Sequence, residues 1–208
     1  MKVQLINGSP EEKRCTYTAL CEVGKGLREE GIETEIVHIG SQAIIGCTDC
    51  GYCLKERKNR CFYEKDSVNQ ILEKSKEADG FVFGSPVHYA GASGAMTSFL
   101  DRFFRCGTDL QYKPGAVVVS CRRGGATAAF DQLNKYLTIS NMPVVSSQYW
   151  NMVHGNTPDE VRQDQEGLQT MRTIGKNMAW LLQCLQAGKE AGVSLPEKEK
   201  RIRTNFIR

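Results

Sequence analysis

Long hydrophobic runs are absent from this sequence. In its 208 residues, no apolar stretch approaches the roughly 20 residues that a transmembrane helix needs. The opening segment, MKVQLINGSP, passes from one lysine into a strand-like run that is much too short for the hydrophobic region of a signal peptide. We therefore expect no membrane segment and a cytoplasmic location.

The excess of positive over negative charge is also small. The sequence has 27 lysines and arginines against 24 aspartates and glutamates, a formal net charge of +3, and the basic residues of its tail alternate with Glu197 and Glu199. A nucleic-acid-binding surface usually concentrates positive charge on one face, so we expect no nucleic-acid partner. The pI of about 8.3 equally disfavours the acidic docking face of a small electron carrier.

The two common glycine-rich nucleotide motifs are missing as well. The segment after the first apolar run reads GSPEEKRCTYT (residues 8–18), which is neither GxGxxG nor a Walker loop. It does carry Ser9, Thr16 and Thr18 around the start of a predicted helix, where backbone N–H groups and hydroxyls suit a terminal phosphate. The alternative is that these hydroxyls only shape the turn and cap the helix.

Apolar periodicity alternates between strands and helices along the chain. Strands are predicted over 3–6, 34–39, 80–84, 116–120 and 144–147, and helices over 16–30, after Asp66, and over 95–105, 127–137 and 157–188. This alternation predicts an α/β domain with a doubly wound, five-stranded parallel sheet. The domain should span residues 1–188, and the polar tail, 189–208, is a candidate dimer arm.

Two further loops follow predicted strands, at the edge where open parallel sheets bind ligands. The segment GSPVHYAGASG (84–94) combines glycines with His88 and Tyr89, an arrangement that lets backbone approach a flat ligand. The segment SCRRGGA (120–126) places Arg122 beside two glycines, where a guanidinium can stabilise anionic charge on a ring. Each segment taken alone also fits an ordinary turn.

Cysteine, by contrast, is plentiful. The sequence holds nine, and four of them crowd into GCTDCGYCLKERKNRC (46–61), within a cysteine-rich loop predicted over 46–65. Cysteines in a cytoplasmic chain are reduced thiols or metal ligands rather than disulfides. The close spacing of the first three favours an iron–sulfur cluster over zinc, because zinc ribbons usually separate two C-x2-C pairs by a longer span. Free thiols are the third alternative. The four candidate ligands are Cys47, Cys50, Cys53 and Cys61. We expect Cys106, Cys121 and Cys184 to pack as small apolar residues.

Several segments together resemble one family, the flavodoxin-like NAD(P)H-dependent FMN reductases with their iron–sulfur flavoproteins: GSP, the clustered cysteines, SPVHYAGASGAMTSFLDR, SCRRGG and PVVSSQYWNMVHGNTPDEV. The resemblance covers nearly the whole chain and implies a flavodoxin-like fold. It implies that the FMN phosphate is bound by Ser9, Cys15, Thr16 and Thr18. It places the flavin ring and ribityl chain at Pro86, Val87, His88, Tyr89, Cys121, Arg122, Gly124 and Gly125. For the four clustered cysteines it implies a four-iron, four-sulfur cluster.

The same resemblance implies an enzyme in which NAD(P)H delivers hydride to FMN. Electrons would then pass to a small acceptor, such as a quinone, a free flavin or an azo compound, or to the cluster. Two other classes stay open: an electron-transfer carrier between proteins without NAD(P)H turnover of its own, and a redox or metal sensor.

The resemblance also implies a homodimer or homotetramer, because such reductases typically build their sites at subunit interfaces. Tyr149 and Trp150 are candidates to cover the flavin of a neighbouring subunit. His154 is a candidate substrate contact, and the alternative is an ordinary loop histidine.

Overall fold

The computed structural model describes residues 1–55, 59–107, 110–200 and 202–207, so positions 56–58 of the predicted cysteine-rich loop lie outside the described residues. The strands are β1 (Lys2–Asn7), β2 (Glu33–His38), β3 (Gly80–His88), β4 (Gly91–Ala92), β5 (Gly115–Cys121) and β6 (Met152–His154). The helices are α1 (Cys15–Glu29), α2 (Tyr52–Lys55), α3 (Val68–Ser75), α4 (Gly94–Cys106), α5 (Ala126–Ile139), α6 (Pro158–Gln163) and α7 (Gln165–Glu190).

Five parallel strands form the sheet in the order β2-β1-β3-β5-β6. The predicted doubly wound α/β sheet is therefore confirmed. A sixth strand, β4, pairs antiparallel with the end of β3, and its two residues are too few to show any periodicity in the sequence. The chain changes direction across the sheet between β1 and β3. The carboxyl ends of these two strands therefore border the crevice where such sheets bind ligands.

Alternate residues of the strands face two separate apolar layers. Val3, Val82 and Val118 pack against α1, α6 and α7 on one face. Phe83 and Val119 pack against α3, α4 and α5 on the other. Because helices cover both faces, the inner strands are largely apolar on both sides, which is the feature that made them recognisable in the sequence.

Glycines bring α1 and α7 into close contact. A Cβ on Gly175 would lie 2.4 Å from the carbonyl oxygen of Val23, and one on Gly26 would lie 2.5 Å from that of Arg172. The two backbones can approach this closely only because neither position carries a side chain. Helix α7 thereby holds α1, whose first turn borders the candidate site.

The position predicted for the fifth strand was wrong. The strand is Met152–His154 rather than 144–147, where Val144 forms only an isolated bridge to Gly115. Val144 is 42% exposed, so that run lacks a second covering layer. β5 instead continues its ladder at Asn151, whose carbonyl accepts from the Val119 N–H at 3.0 Å.

Three helix boundaries also differ from the prediction. The last helix is two helices, because Asp164 leaves helical geometry (ψ 77°) and its carboxylate accepts from the Gly167 N–H at the start of α7. Thr157 caps α6 as predicted, by accepting from the Glu160 N–H at 3.2 Å. At α3 the N-cap position is Ser67, one position later than predicted, although the Asp66 carboxylate accepts from the Val68 N–H at 3.2 Å. Helix α7 ends at Glu190, beyond the predicted stop at Gly188.

All nine cysteines are free thiols, in agreement with the expectation of a chain without disulfides. Cys106 and Cys121 are buried as predicted, but Cys184 is exposed, because it lies on α7 outside that helix's buried stripe. No helix in the described part of the chain is long and apolar enough to cross a membrane. The tail beyond α7 is exposed wherever it is described, and its role as a dimer arm stays a prediction.

Candidate functional site

A cleft with about 690 Å³ of open space lies at the carboxyl ends of β1, β3 and β5. Most of the predicted cofactor residues meet there, although they come from three separate segments of the sequence. Eight of them line it: Ser9, Cys15, Thr16, Pro86, Val87, His88, Cys121 and Arg122. Thr18, Tyr89, Gly124 and Gly125 do not line it. Sequence analysis did not single out the six other lining residues: Pro10, Glu11, Arg14, Ser120, Gly155 and Asn156.

The loop after β1 is held in place from several sides. Ser9 donates its backbone N–H to Asn7 Oδ1 at 3.1 Å, and its carbonyl oxygen lies 2.7 Å from His38 Nε2. A Cβ on Gly40 would lie 1.8 Å from that same oxygen, so the chain after β2 can pass here only without a side chain. The Ser93 hydroxyl donates to the carbonyl of Gly8 at 2.8 Å. The loop is therefore fixed before any ligand arrives.

The N-terminus of α1 faces this cleft. Its N-cap residue, Arg14, makes no side-chain capping bond, and the first turn carries no acidic residue. Unpaired N–H groups and the helix dipole favour an anion at such a terminus. The Arg14 guanidinium lies at the rim, paired with Glu11 at 2.8 Å and donating to the carbonyl of Asn156 at 3.3 Å.

The two predicted phosphate threonines differ in their surroundings. Thr16 is buried at the cleft, where its hydroxyl lies 2.8 Å from Ser120 Oγ and links α1 to β5. Thr18 donates its hydroxyl to the carbonyl of Arg14 at 3.2 Å, one turn back along the helix. The structure thus brings Thr16 to the cleft and gives the hydroxyl of Thr18 a partner within α1.

Cys15 begins α1 and presents a thiol to the cleft. Its sulfur donates to the carbonyl of Gly155 at 3.5 Å. Burial raises the pKa of the Cys15 thiol, which therefore stays protonated and neutral near neutral pH. A neutral donor is compatible with an anion at the adjacent helix terminus, whereas a thiolate would repel it.

The end of β3 forms one wall of the cleft and then turns back. Tyr89 and Ala90 form a two-residue turn with φ values of 50° and 60°, and the Tyr89 side chain is fully exposed. Gly125 has a φ of 91°, and a Cβ there would lie 2.7 Å from Ala90 Cα. Gly124 accepts a hydrogen bond from the Cys121 thiol at 3.1 Å. Gly124 and Gly125 therefore fix the loops around the cleft.

The predicted substrate and interface residues after β5 lie outside the cleft lining. Tyr149 and Trp150 are half exposed, with ring centroids 5.1 Å apart. His154 donates its backbone N–H to Asp164 Oδ2 at 2.7 Å, and its ring nitrogen lies 3.8 Å from the same oxygen. Their roles toward a substrate or a second subunit stay predictions.

A second, small cavity lies beside the C-terminal end of α4. The four predicted metal ligands, Cys47, Cys50, Cys53 and Cys61, all line it. Cys106 adds a fifth, buried thiol that the sequence assigned to packing alone. Burial and the nearby Cys53 thiol raise the pKa of Cys106.

The described residues contain no group of three or more Cys, His, Asp or Glu side chains arranged closely enough to hold a metal ion. The thiols therefore share a cavity without being preset at ligand distance. Four thiols around one small cavity are nevertheless the donor set that an iron–sulfur cluster or a structural zinc requires.

An arginine that the sequence analysis missed also lines this cavity. Arg102 lies on the buried stripe of α4, and only 1% of its side chain is exposed. Its Nε–H donates to Cys61 Sγ at 3.3 Å, and its guanidinium is ion-paired with the buried carboxylate of Asp66. A charged residue at an apolar position of the helix period was the available signal.

Helix α4 runs between the cleft and the cysteine cavity. At its start, the Ser93 hydroxyl accepts from the Met96 N–H at 3.2 Å and also contacts the loop after β1. Its last turns carry Arg102 and Cys106. Thirteen residues of α-helix extend about 20 Å, so the two cavities lie at opposite ends of one rigid element.

Comparison with known proteins matches this arrangement to one family. The model of the NADPH-dependent FMN reductase family matches residues 1–157. The chain is 33% identical over 195 residues to an iron–sulfur flavoprotein of Methanocaldococcus jannaschii, an alignment that covers 89% of this chain and 100% of that protein.

Solved structures share the fold at lower identity. A structure of RosB with a bound 8-demethyl-8-formylriboflavin-5'-phosphate intermediate has a TM-score of 0.69 at 18% identity, covering 100% of this chain and 92% of that one. A flavodoxin from the domain Archaea has a TM-score of 0.61 at 16% identity, covering 88% and 99%. These likenesses confirm the predicted flavodoxin-like fold. With the family model matching well over half of its length, the chain belongs to the NADPH-dependent FMN reductase family of flavin oxidoreductases.

Proposed function

We propose that this protein binds FMN in the cleft, takes hydride from NAD(P)H, and passes electrons to a small acceptor or to an iron–sulfur cluster held by the four clustered cysteines. The observation that carries the proposal is the convergence of three sequence segments on one cleft at the uncapped N-terminus of α1. The family match and the names of the relatives support it.

The phosphate end of the cleft is formed by the loop after β1 and the start of α1. Backbone N–H groups of the first turn, with the hydroxyls of Ser9 and Thr16, are donors suited to a phosphate dianion. Arg14 adds positive charge, and Glu11 partly offsets it. Because the loop is already fixed, little further ordering is needed when the phosphate binds.

The ring end is formed by the ends of β3 and β5. Pro86 and Val87 offer backbone and an apolar surface to a flat ring, and Arg122 brings a positive charge to the same wall. Bound FMN supplies the hydride and one-electron chemistry, and the chain positions the ring and stabilises negative charge on it. The open side, beside the exposed His88, leaves room for a nicotinamide or a small acceptor.

The cysteine cavity completes the proposed electron path. Its four free thiols are soft donors, which select iron–sulfur clusters or zinc rather than hard cations. The two exposed thiols, Cys47 and Cys50, and the two half-buried ones, Cys53 and Cys61, surround the cavity from the solvent side and the protein side. A cluster there would accept or donate single electrons, which connects two-electron nicotinamide chemistry to one-electron partners.

A spectroscopic experiment tests the flavin assignment directly. We expect purified protein to be yellow and to release FMN, near one per chain, on heat denaturation. Anaerobic addition of NADH or NADPH should bleach the flavin absorbance. Release of FAD, or failure to bind added FMN, would contradict the cofactor assignment. Bleaching by dithionite but by neither nicotinamide would instead identify an electron carrier.

Thr16 gives a second test. Replacing Thr16 with Val keeps the shape of the side chain but removes a hydroxyl at the phosphate end, so FMN should dissociate more readily. A hydrogen bond to a charged group contributes about 1.5–3 kcal/mol, and we expect the Kd for FMN to rise about ten- to hundredfold. Titration of apoprotein with FMN, followed by flavin fluorescence, measures the change.

Thr170→Val is the matched control, since Thr170 is equally buried but lies on α7 away from the cleft. The Kd of this variant should stay within about twofold of that of the unmodified protein. Equal Kd values for the two variants would show that the Thr16 hydroxyl only links α1 to β5.

A further inference from the structure

Arg102 occupies a position where an arginine is costly. It lies on α4 among the buried side chains of Phe99, Phe103 and Cys106, and its own side chain is 1% exposed. Moving a charged group out of water is unfavourable unless the charge is paired and its N–H groups are bonded. A residue in this position is therefore either fully satisfied by its surroundings or strongly destabilising.

The surroundings of Arg102 pair its charge and bond its N–H groups. The guanidinium forms an ion pair with the Asp66 carboxylate, which is itself 1% exposed. Its Nη1 donates to the carbonyl of Ile45 at 3.3 Å and its Nη2 to that of Tyr63 at 3.0 Å. Three anchors on two segments, Ile45 on one and Tyr63 and Asp66 on the segment before α3, fix the plane of the group.

With the plane fixed, the remaining donor points at a thiol. The Arg102 Nε–H donates to Cys61 Sγ at 3.3 Å, which places a cationic group against one of the four clustered cysteines. Asp66 is fixed in turn, because its Oδ1 accepts from the Val68 N–H at the start of α3. The ion pair thus ties Cys61 to α3 and α4.

We propose that Arg102 is a positioning residue that orients Cys61 as a cluster ligand and raises the reduction potential of the cluster, with Asp66 opposing that effect through its negative charge. This inference rests on the proposed function, since it needs a cluster in the cysteine cavity. A hydrogen bond to a ligand sulfur and a nearby positive charge both favour the more negative, reduced state of a cluster. A buried carboxylate beside the arginine offsets part of that charge.

The two partners therefore predict shifts of opposite sign. Arg102→Gln removes the positive charge beside Cys61 and leaves the Asp66 charge, so the cluster should become harder to reduce. Asp66→Asn leaves the Arg102 charge without its counter-ion, so the cluster should become easier to reduce. General damage to the cavity would not shift the reduction potential in opposite directions in these two variants.

The experiment compares anaerobically purified full-length variants with the unmodified protein. Iron and acid-labile sulfide are counted first, and the cluster is then titrated potentiometrically while its paramagnetic reduced state is followed. For Arg102→Gln, we expect the ratio of reduced to oxidised cluster at a fixed potential to fall about tenfold, a shift of about 59 mV for a one-electron couple. For Asp66→Asn, we expect the ratio to rise.

Two further variants keep the test decisive. The double variant Arg102→Gln/Asp66→Asn holds no unpaired buried charge, so it should fold even if a single variant does not, and its potential should lie below that of the unmodified protein. Arg172→Gln is the matched control, because it breaks the Arg172–Glu22 pair between α7 and α1 on the other face of the sheet. Its cluster potential should be unchanged.

The outcomes separate this inference from the proposed function. Iron in the unmodified protein with equal potentials in all variants overturns the role of Arg102 but leaves the cluster. Shifts of the same sign for Arg102→Gln and Asp66→Asn, or loss of iron from the double variant, show a purely structural pair and also overturn the role. Unmodified protein without iron overturns this inference and the cluster part of the proposed function, and leaves the flavin assignment to its own test.

Discussion

Replacing Cys50 with alanine is expected to remove the iron from this protein and to leave the flavin in place. Anaerobic preparations of the unmodified protein should contain roughly four iron and four sulfide per chain, the content of a fully ligated cluster. Without Cys50, only three of the four proposed ligands remain, which should destabilise the cluster. The flavin should be unaffected, because the cleft and the cysteine cavity lie at opposite ends of α4. Metal analysis and quantification of released FMN on one sample measure both results.

Cys184→Ala is the matched control for this experiment, since Cys184 is an exposed thiol on α7 outside the cysteine cavity. It should keep both iron and flavin. Full iron content in Cys50→Ala would mean that another thiol, with Cys106 the nearest candidate in the cavity, completes the ligand set. Zinc in place of iron would make the site structural, and the absence of metal would leave a thiol-rich loop.

Replacing Gly175 with alanine should lower the free energy of unfolding by about 2–3 kcal/mol, at the upper end of the usual cost of overpacking. The added Cβ would lie 2.4 Å from the carbonyl oxygen of Val23 and 2.9 Å from the backbone nitrogen of Leu27. Both are backbone atoms that cannot rotate away, so α1 and α7 must separate. Urea unfolding in excess FMN measures the effect.

Helix α7 also contains a control position, Gly188, at which alanine should stabilise the protein. A Cβ on Gly188 would meet no atom closer than 3.9 Å. Gly188→Ala should therefore raise the free energy of unfolding by about 0.5–1 kcal/mol, because alanine loses less conformational freedom in a helix than glycine does. Destabilisation of both variants by similar amounts would show that the close contact of α1 and α7 does not decide the cost.

The sequence was informative wherever one face or stripe of an element is repeatedly apolar. The runs at 3–6, 80–84 and 116–120 fall within strands that are buried on both faces, so their composition alone located them. The short strand at the sheet edge was misplaced, because Val144 and its neighbours have strand-like composition but β5 pairs with Met152–His154 instead. Composition at an edge does not say which of two nearby runs forms the ladder.

The residues of the candidate site also fall into two groups, those that the sequence revealed and those that it did not. Ser9 and Arg122 were singled out because each follows the end of a recognisable strand, and the topology brings those ends together at the cleft. Ser120 and Arg102 were missed because their importance comes from partners far away in the sequence: Thr16 for one, and Asp66 and Cys61 for the other. Pairings over such distances depend on the folded arrangement, and the local sign for Arg102 was a charged residue at an apolar position of the α4 period.

The Tyr89–Ala90 turn carries a cost in stability. Two-residue hairpins with both φ values positive are made most easily by asparagine and glycine, and a bulky side chain in this conformation costs roughly 1 kcal/mol or more. Simple substitutions would relieve that cost, yet the chain holds a fully exposed tyrosine there. The turn therefore keeps a small amount of backbone strain directly after the cleft-lining His88, and it holds the Tyr89 ring entirely in solvent.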